Sequence, residues 1–172
     1  HLLKDARAGT AHDFGKNIIP RMIADQRVFA FKFQDRNKKS VHYWRDIGTL
    51  DAYWEANMDL VSVDPLFNLY DQHWPVRTYH GQYTPAKFVF ASPNVRVEDH
   101  ADLRESVVME NVVIGQHARI RRAIIDKDVT IPPHTEIGYD READRQRFTI
   151  TESGLVVISK GMKVHGPVDS SG

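Results

Sequence analysis

Cysteine is missing from the 172 residues, which excludes disulfides and thiolate metal sites and is compatible with a reducing compartment. An excess of one charge is missing too. Lys and Arg number 23 and Asp and Glu number 23, so no global field steers the chain toward nucleic acid or an anionic membrane. No apolar run is long enough to cross a bilayer, and the first residues do not read as a secretory leader. A cytoplasmic protein with no nucleic-acid or membrane partner is the expectation. The nine histidines include no i, i+4 pair flanking a carboxylate, so no structural zinc is expected. No glycine-rich loop joins a strand to a helix, so these residues hold no phosphate cradle of that kind. The chain begins at His1 without Met and runs directly into Leu2-Leu3-Lys4-Asp5, which reads as an internal start within a longer protein.

What is present falls into three stretches. In the first, Asp13 can cap a short helix carrying Ile18, Ile19, Met22 and Ile23 on one face. Val28 to Phe33 is rich in aromatics and reads as a strand, Asp35 to Ser40 as a charged loop, and Val41 to Trp44 as a second strand. Tyr43-Trp44-Arg45-Asp46-Ile47-Gly48-Thr49 then packs an aromatic pair, a cation, a carboxylate and a glycine turn into seven residues. By itself it reads first as a solvated turn with its aromatics in the core, and second as a polar site on a rigid scaffold. Thr49 is a good N-cap for a helix whose Leu50, Tyr53, Trp54, Met58 and Val61 recur at helical spacing and bury one face.

The second stretch, Asp64 to Pro93, places prolines about every ten residues among aromatics. Proline denies helix and the aromatics deny disorder, so it reads as an extended packed linker. In the third, Val97, Leu103, Met109, Ile114, Ile120, Ile125, Ile131 and Ile137 recur at a spacing of five or six. Ala101, Val107, Val113, Ala118, Ile124, Val129 and Thr135 form a second set. No helix has that period. A near-six repeat predicts a parallel β-helix of short flat strands with these residues stacked inside, in little more than two three-sided coils. After Tyr139, Arg147 to Thr151 and Leu155 to Ser159 read as a closing β pair around Ser153-Gly154. His100, His117 and His134 stand seventeen residues apart and can stack down one face. Arg119, Arg121, Arg122, Arg145, Arg147 and Lys160 can converge on a phosphate or remain solvated beside Asp126, Asp128 and Glu142.

With these pieces aligned the chain resembles the bacterial glucose-1-phosphate adenylyltransferase family. The residues that carry the likeness are His12 to Pro20, Tyr43 to Trp54, Trp74 to Tyr79, Pro85 to Phe88, Arg121 to Asp126, and Ile131-Pro132. The resemblance implies an α/β plus β chain: the back part of a nucleotide-diphospho-sugar transferase domain, then a left-handed parallel β-helix of hexapeptide repeats. The implied domains are 1–63 (the sugar-phosphate side of the catalytic domain), 64–93 (the linker), 94–165 (the β-helix with its cap) and 166–172 (a tail). It further implies an allosteric homotetramer of glycogen biosynthesis that takes ATP and glucose 1-phosphate. In that scheme Asp13 and Phe14 line the glucose pocket, Trp44 packs against the sugar, and Asp46 binds catalytic Mg²⁺ beside a second Asp outside this chain. Arg122, Arg147 and Lys160 match an anionic effector site. One departure stands out: Phe90-Ala91-Ser92-Pro93 meets Asn94 directly, where the family has a longer connection and further hexads, so either the protein is shortened there or, as expected from the thin stack, a stretch is absent from this sequence. Two other readings stand beside the enzyme. One is a non-catalytic β-helix that oligomerises and binds an anion. The other is a hexapeptide acyltransferase with a histidine base, for which no acceptor-site motif is present.

Overall fold

The computed structural model of the chain describes residues 9–32, 43–66 and 87–166. It divides into two units, His1–Gln34 and Asp35–Gly172.

In the first unit Asp13 Oδ1 accepts the Lys16 N–H at 2.7 Å and opens a π-helical turn, Phe14–Ile18. The turn runs into α1 (Ile19–Asp25), with Pro20 at the start, where its missing N–H leaves nothing unpaired. Of the expected apolar face only Ile18 is buried; Ile19 and Ile23 are exposed. The strand expected from Val28 does not form, since residues 27–32 join no ladder. A run of β-favouring residues becomes a strand only against a partner, and none faces this run among the described residues. Phe33, the loop Asp35 to Ser40 and the start of the second expected strand lie outside the described residues. Tyr43 and Trp44 are irregular.

In the second unit Thr49 caps α2 (Leu50–Leu60) by accepting the Ala52 N–H at 3.1 Å. Its packed face is Tyr53, Trp54, Met58 and the buried Asn57, whereas Leu50 is 45% exposed and faces away. Among the described residues, α2 is followed by a stack of short strands: β1 (Lys87–Ala91), β2 (Arg96–Val97), β3 (Asp102–Val108), β4 (Val113–Ile114), β5 (Arg119–Arg121), β6 (Ala123–Ile125), β7 (Thr130–Ile131) and β8 (Glu136–Ile137). Lys87 to Ala91, placed in the linker by its sequence, is thus the first strand of the stack. All eight pair in parallel, and the register advances by seventeen residues each time: Lys87 faces Arg104, Asp102 faces Arg119, Arg119 faces Glu136, and Arg96 faces Val113, which faces Thr130.

The corners explain that number. Asn94, His100, Glu105, Asn111, His117, Arg122, Asp128 and His134 all have positive φ. They divide each turn into sides of six, five and six residues. Asn, Asp and His tolerate the left-handed region better than most side chains, which is why polar residues occupy most of these corners. Two of the corner rows are also ladders. Asn94 donates to Asn111 and Asn111 to Asp128 at 3.2 and 3.0 Å, and the rings of His100, His117 and His134 stack at 5.0 Å.

Inside, the columns are Val95, Val112 and Val129; Val97, Ile114 and Ile131; Leu103, Ile120 and Ile137; and Val108, Ile125 and Ile158. The five-residue side shifts the phase by one. Val108 and Val112 therefore point inward, in place of the expected Met109 and Val113. Ser106 enters the core as the one hydroxyl of its column, donating to the Arg104 carbonyl at 2.7 Å and accepting from the Ala123 N–H at 3.2 Å. Its polar atom is thereby satisfied.

At Gly138 the stack is interrupted. This residue has φ +85°, and a Cβ there would lie 1.8 Å from the Arg121 carbonyl oxygen, so only glycine fits. The chain leaves the stack into α3 (Arg141–Arg147), which the sequence reading missed, and returns through β9 (Thr149–Ile150). The closing strand β10 (Val156–Ile158) pairs antiparallel with β9 and parallel with β6, restoring the stack. Asp140 caps α3 through the Glu142 and Ala143 N–H groups. Asp144 is buried beneath it and accepts the Gly138 N–H at 2.7 Å. Burial raises its carboxyl pKa above the ordinary range, outweighing that hydrogen bond and the nearby Arg147.

Candidate functional site

The turn before α2 is built from its own carboxylate. Asp46 Oδ1 accepts the Gly48 N–H at 3.1 Å, an Asx turn that feeds directly into the Thr49 cap. Arg45 anchors the turn to α2 through Glu55 at 2.6 Å and Asp59 at 3.0 Å, and the Tyr43 hydroxyl donates to the same Asp59 at 3.3 Å. Burial, and next the Asp59 charge, raise the Tyr43 pKa. Trp44, by contrast, is 80% exposed and Ile47 56%. The aromatics are therefore not both core residues: Tyr43 packs and Trp44 is presented outward beside the Asp46 carboxylate. Among the described residues no three His, Asp or Glu side chains gather as a metal cage. One exposed carboxylate on a fixed turn can still supply a single oxygen to a hard cation whose other ligands are phosphates and water.

Asp13 and Phe14 belong to the other unit. The Asp13 side chain is spent on its helix cap, and Phe14 is 60% exposed.

Arg122, Arg147 and Lys160 each have partners of their own. Lys160 reaches Asp128 at 3.6 Å, at the corner row of Asn94. Arg122 occupies the preceding corner, six residues back along the coil from Asp128. Arg147 ends α3, donating to the His165 carbonyl at 3.4 Å, with its guanidinium 4.7 Å from the Phe148 ring.

Arg122 instead takes part in an arrangement that sequence reading missed. Its guanidinium lies 4.8 Å from the Trp54 ring and donates to the Ser153 hydroxyl at 3.2 Å. Trp54 donates its indole N–H to the Glu105 carbonyl at 2.8 Å. Asp51, on the same face of α2, accepts from the hydroxyls of Thr151, at 2.9 Å, and Ser153. The only hint available in advance was Asp51 within a helical first turn; its partners are a hundred residues away.

Residues 2–63 match the nucleotidyl transferase family, and residues 85–158 match the GlmU-like C-terminal hexapeptide family. A glucose-1-phosphate adenylyltransferase from Koribacter versatilis is 47% identical over 92% of this chain and 45% of its own length. The chain is homologous to that enzyme. The enzymes of the same name from Rhodopirellula baltica and an Anaeromyxobacter species are 47% and 44% identical, over 94% and 90% of this chain. The chain spans about half the length of these relatives, 44% and 46% of the latter two. The alignments, at 189 to 194 residues, are longer than the 172-residue chain, so these relatives carry residues inside the matched stretch that the chain lacks.

Proposed function

We propose that the chain is the sugar-phosphate and regulatory part of a glucose-1-phosphate adenylyltransferase. The reaction would be ATP plus α-D-glucose 1-phosphate giving ADP-glucose and diphosphate, for glycogen biosynthesis in the cytoplasm. The observation that carries this reading is the turn from Tyr43 to Thr49, which is braced on α2 while offering Trp44 and Asp46 outward. It lies in the segment that matches the nucleotidyl transferase family.

In this reading Trp44 packs against the sugar, Asp13 and Phe14 line the glucose pocket, and Asp46 holds Mg²⁺ with a second carboxylate from outside these residues. When bound, Mg²⁺ offsets the charge gathered between the attacking phosphate of glucose 1-phosphate and the α-phosphate of ATP. The chain's own contribution is positional. The Arg45 clamp and the Asx turn fix the Asp46 carboxylate, which would offer the cation an oriented oxygen. The coil is left-handed and forms the contacts of a homotetramer, and Arg122, Arg147 and Lys160 face an anionic effector. Because the nucleotide-binding half lies outside these residues, the 172-residue chain assayed alone with ATP, Mg²⁺ and glucose 1-phosphate should not turn over; ADP-glucose in that assay would refute this division of labour. In the full-length enzyme, Asp46→Asn should lower kcat by about three orders of magnitude or more while the fold persists. Near-normal turnover would remove Asp46 from the metal site.

A second reading, a purely structural coil, draws on the fact that the stack carries its own buried core. A full-length protein that makes no ADP-glucose would decide for it.

A further inference from the structure

Asp51 has no part in the reading above, yet it joins the two ends of the second unit. Its Oδ1 accepts two hydroxyl protons, one from Thr151 and one from Ser153. Each hydroxyl has a single proton; with both given to Asp51, the 3.1 Å contact between the two oxygens shares none, and each accepts elsewhere. Thr151 accepts the Leu155 N–H at 3.3 Å, and Ser153 accepts from Arg122 at 3.2 Å. Ser153 therefore bridges a guanidinium to a carboxylate, which makes both of its hydrogen bonds charge-assisted.

Trp54, three residues further along α2, repeats the grip. It holds the Glu105 corner carbonyl through its indole N–H and the Arg122 guanidinium through its ring. The hairpin between β9 and β10 and two left-handed corners thus seize the first turns of α2. From there the contacts run back to the Asp46 turn without a break. The Thr49 cap, the Gly48 N–H on Asp46 and the Arg45 bridges to Glu55 and Asp59 make turn and helix one body. Asp51 follows Asp46 by only five positions.

We propose that Asp51 is a positioning residue: through Ser153 and Thr151 it latches α2 to the last coil and so sets where the Asp46 carboxylate stands. This rests on the metal role proposed for Asp46. A loosened latch leaves nucleotide contacts in place but lets the whole turn wander, the Asp46 carboxylate from the cation and Trp44 from the sugar. Its kinetic mark is therefore weakened Mg²⁺ activation, with ATP affinity at saturating Mg²⁺ little changed. The latch also gives Arg122 a defined task, since any movement of that side chain is felt at Ser153 and Asp51.

Two measurements test this. In the 172-residue chain, hydrogen exchange should show the α2 amides opening about tenfold faster in Asp51→Ala and Ser153→Ala, as expected for losing charge-assisted bonds, with β5 and β6 at wild-type rates. Unchanged α2 protection in both variants overturns the latch. In the full-length enzyme, Asp51→Ala should raise the half-saturating Mg²⁺ concentration about tenfold. The KM for ATP at saturating Mg²⁺ should stay within about twofold, and Asp51→Asn, which keeps an acceptor oxygen, should recover part of the loss. A merely structural role would lower the active fraction without moving the Mg²⁺ midpoint, and that result overturns the positioning role. A wild-type enzyme that makes no ADP-glucose refutes the proposed function and the positioning role together, while the exchange measurement still decides the latch.

Discussion

Ile125 and Phe31 are both large apolar side chains in β-favouring runs, yet Ile125 is fully buried and Phe31 is 93% exposed. The difference is not hydrophobicity. Ile125 belongs to a stacked column, so Val108, seventeen residues before it, and Ile158, which returns to the stack after α3 and β9, close over it. Phe31 has no such neighbour supplied by its own stretch. A periodic stack makes its own interior out of successive turns, whereas the front segment, among its described residues, buries only Ile18. What this teaches is that local pattern predicts burial only where the pattern brings its own partner.

The sharpest way to break that comparison is at its buried end. Ile125→Ala should cost about 3 to 4 kcal/mol by thermal or urea unfolding, since the rungs above and below hold the cavity open. A cost near zero would mean that the columns do not carry the stack. Gly138→Ala should cost about 2 to 3 kcal/mol, because the new Cβ meets the Arg121 carbonyl and the backbone has to leave its positive φ. Circular dichroism melts would show it, and an unchanged melt would place the exit from the stack elsewhere.

Asp144 tests the buried end more gently. Its native carboxyl binds a proton more tightly than the unfolded one, so over the interval between the two pKa values the native state carries more protons and loses stability as pH rises. Comparing urea midpoints from neutral pH downward, wild type should gain on Asp144→Asn as pH falls through the raised pKa, and level off below the ordinary Asp value. A constant difference would refute the shift. At the exposed end Phe31→Ala should change stability by less than about 0.5 kcal/mol in the 172-residue chain. A loss comparable to that of Ile125→Ala would erase the contrast altogether.

Much of the coil was legible because a period is a one-dimensional signal. Ile114, Ile120, Ile131 and Ile137 could be assigned to the interior from spacing alone. Val108 and Val112 could not, because the five-residue side depends on Glu105 and Arg122 taking a left-handed corner, and neither is a residue type that announces one. The helix Arg141–Arg147 had a readable signature, an Asp cap with acids in the first turn and arginines in the last, hidden inside what looked like a charged loop. At the candidate site, the Asx turn at Asp46 and the Thr49 cap are local and so were within reach. The bond from Ser153 to Asp51 spans about a hundred residues of chain, and no window of sequence contains both. The outward Trp44 was the more instructive surprise, because an aromatic beside Tyr43 reads as core until the backbone shows which of the two turns away.

The fixed register of seventeen has one more consequence. Because the columns and corner rows from β1 to β8 repeat at that interval, cutting out one complete turn, such as residues 111–127, would bring Glu110 directly onto Asp128 with each column still in line. The length of such a molecule is a freely adjustable quantity, set by how many turns are inserted between two fixed ends. The relatives' extra residues within the matched stretch are then a difference that the architecture can absorb without redesigning either end.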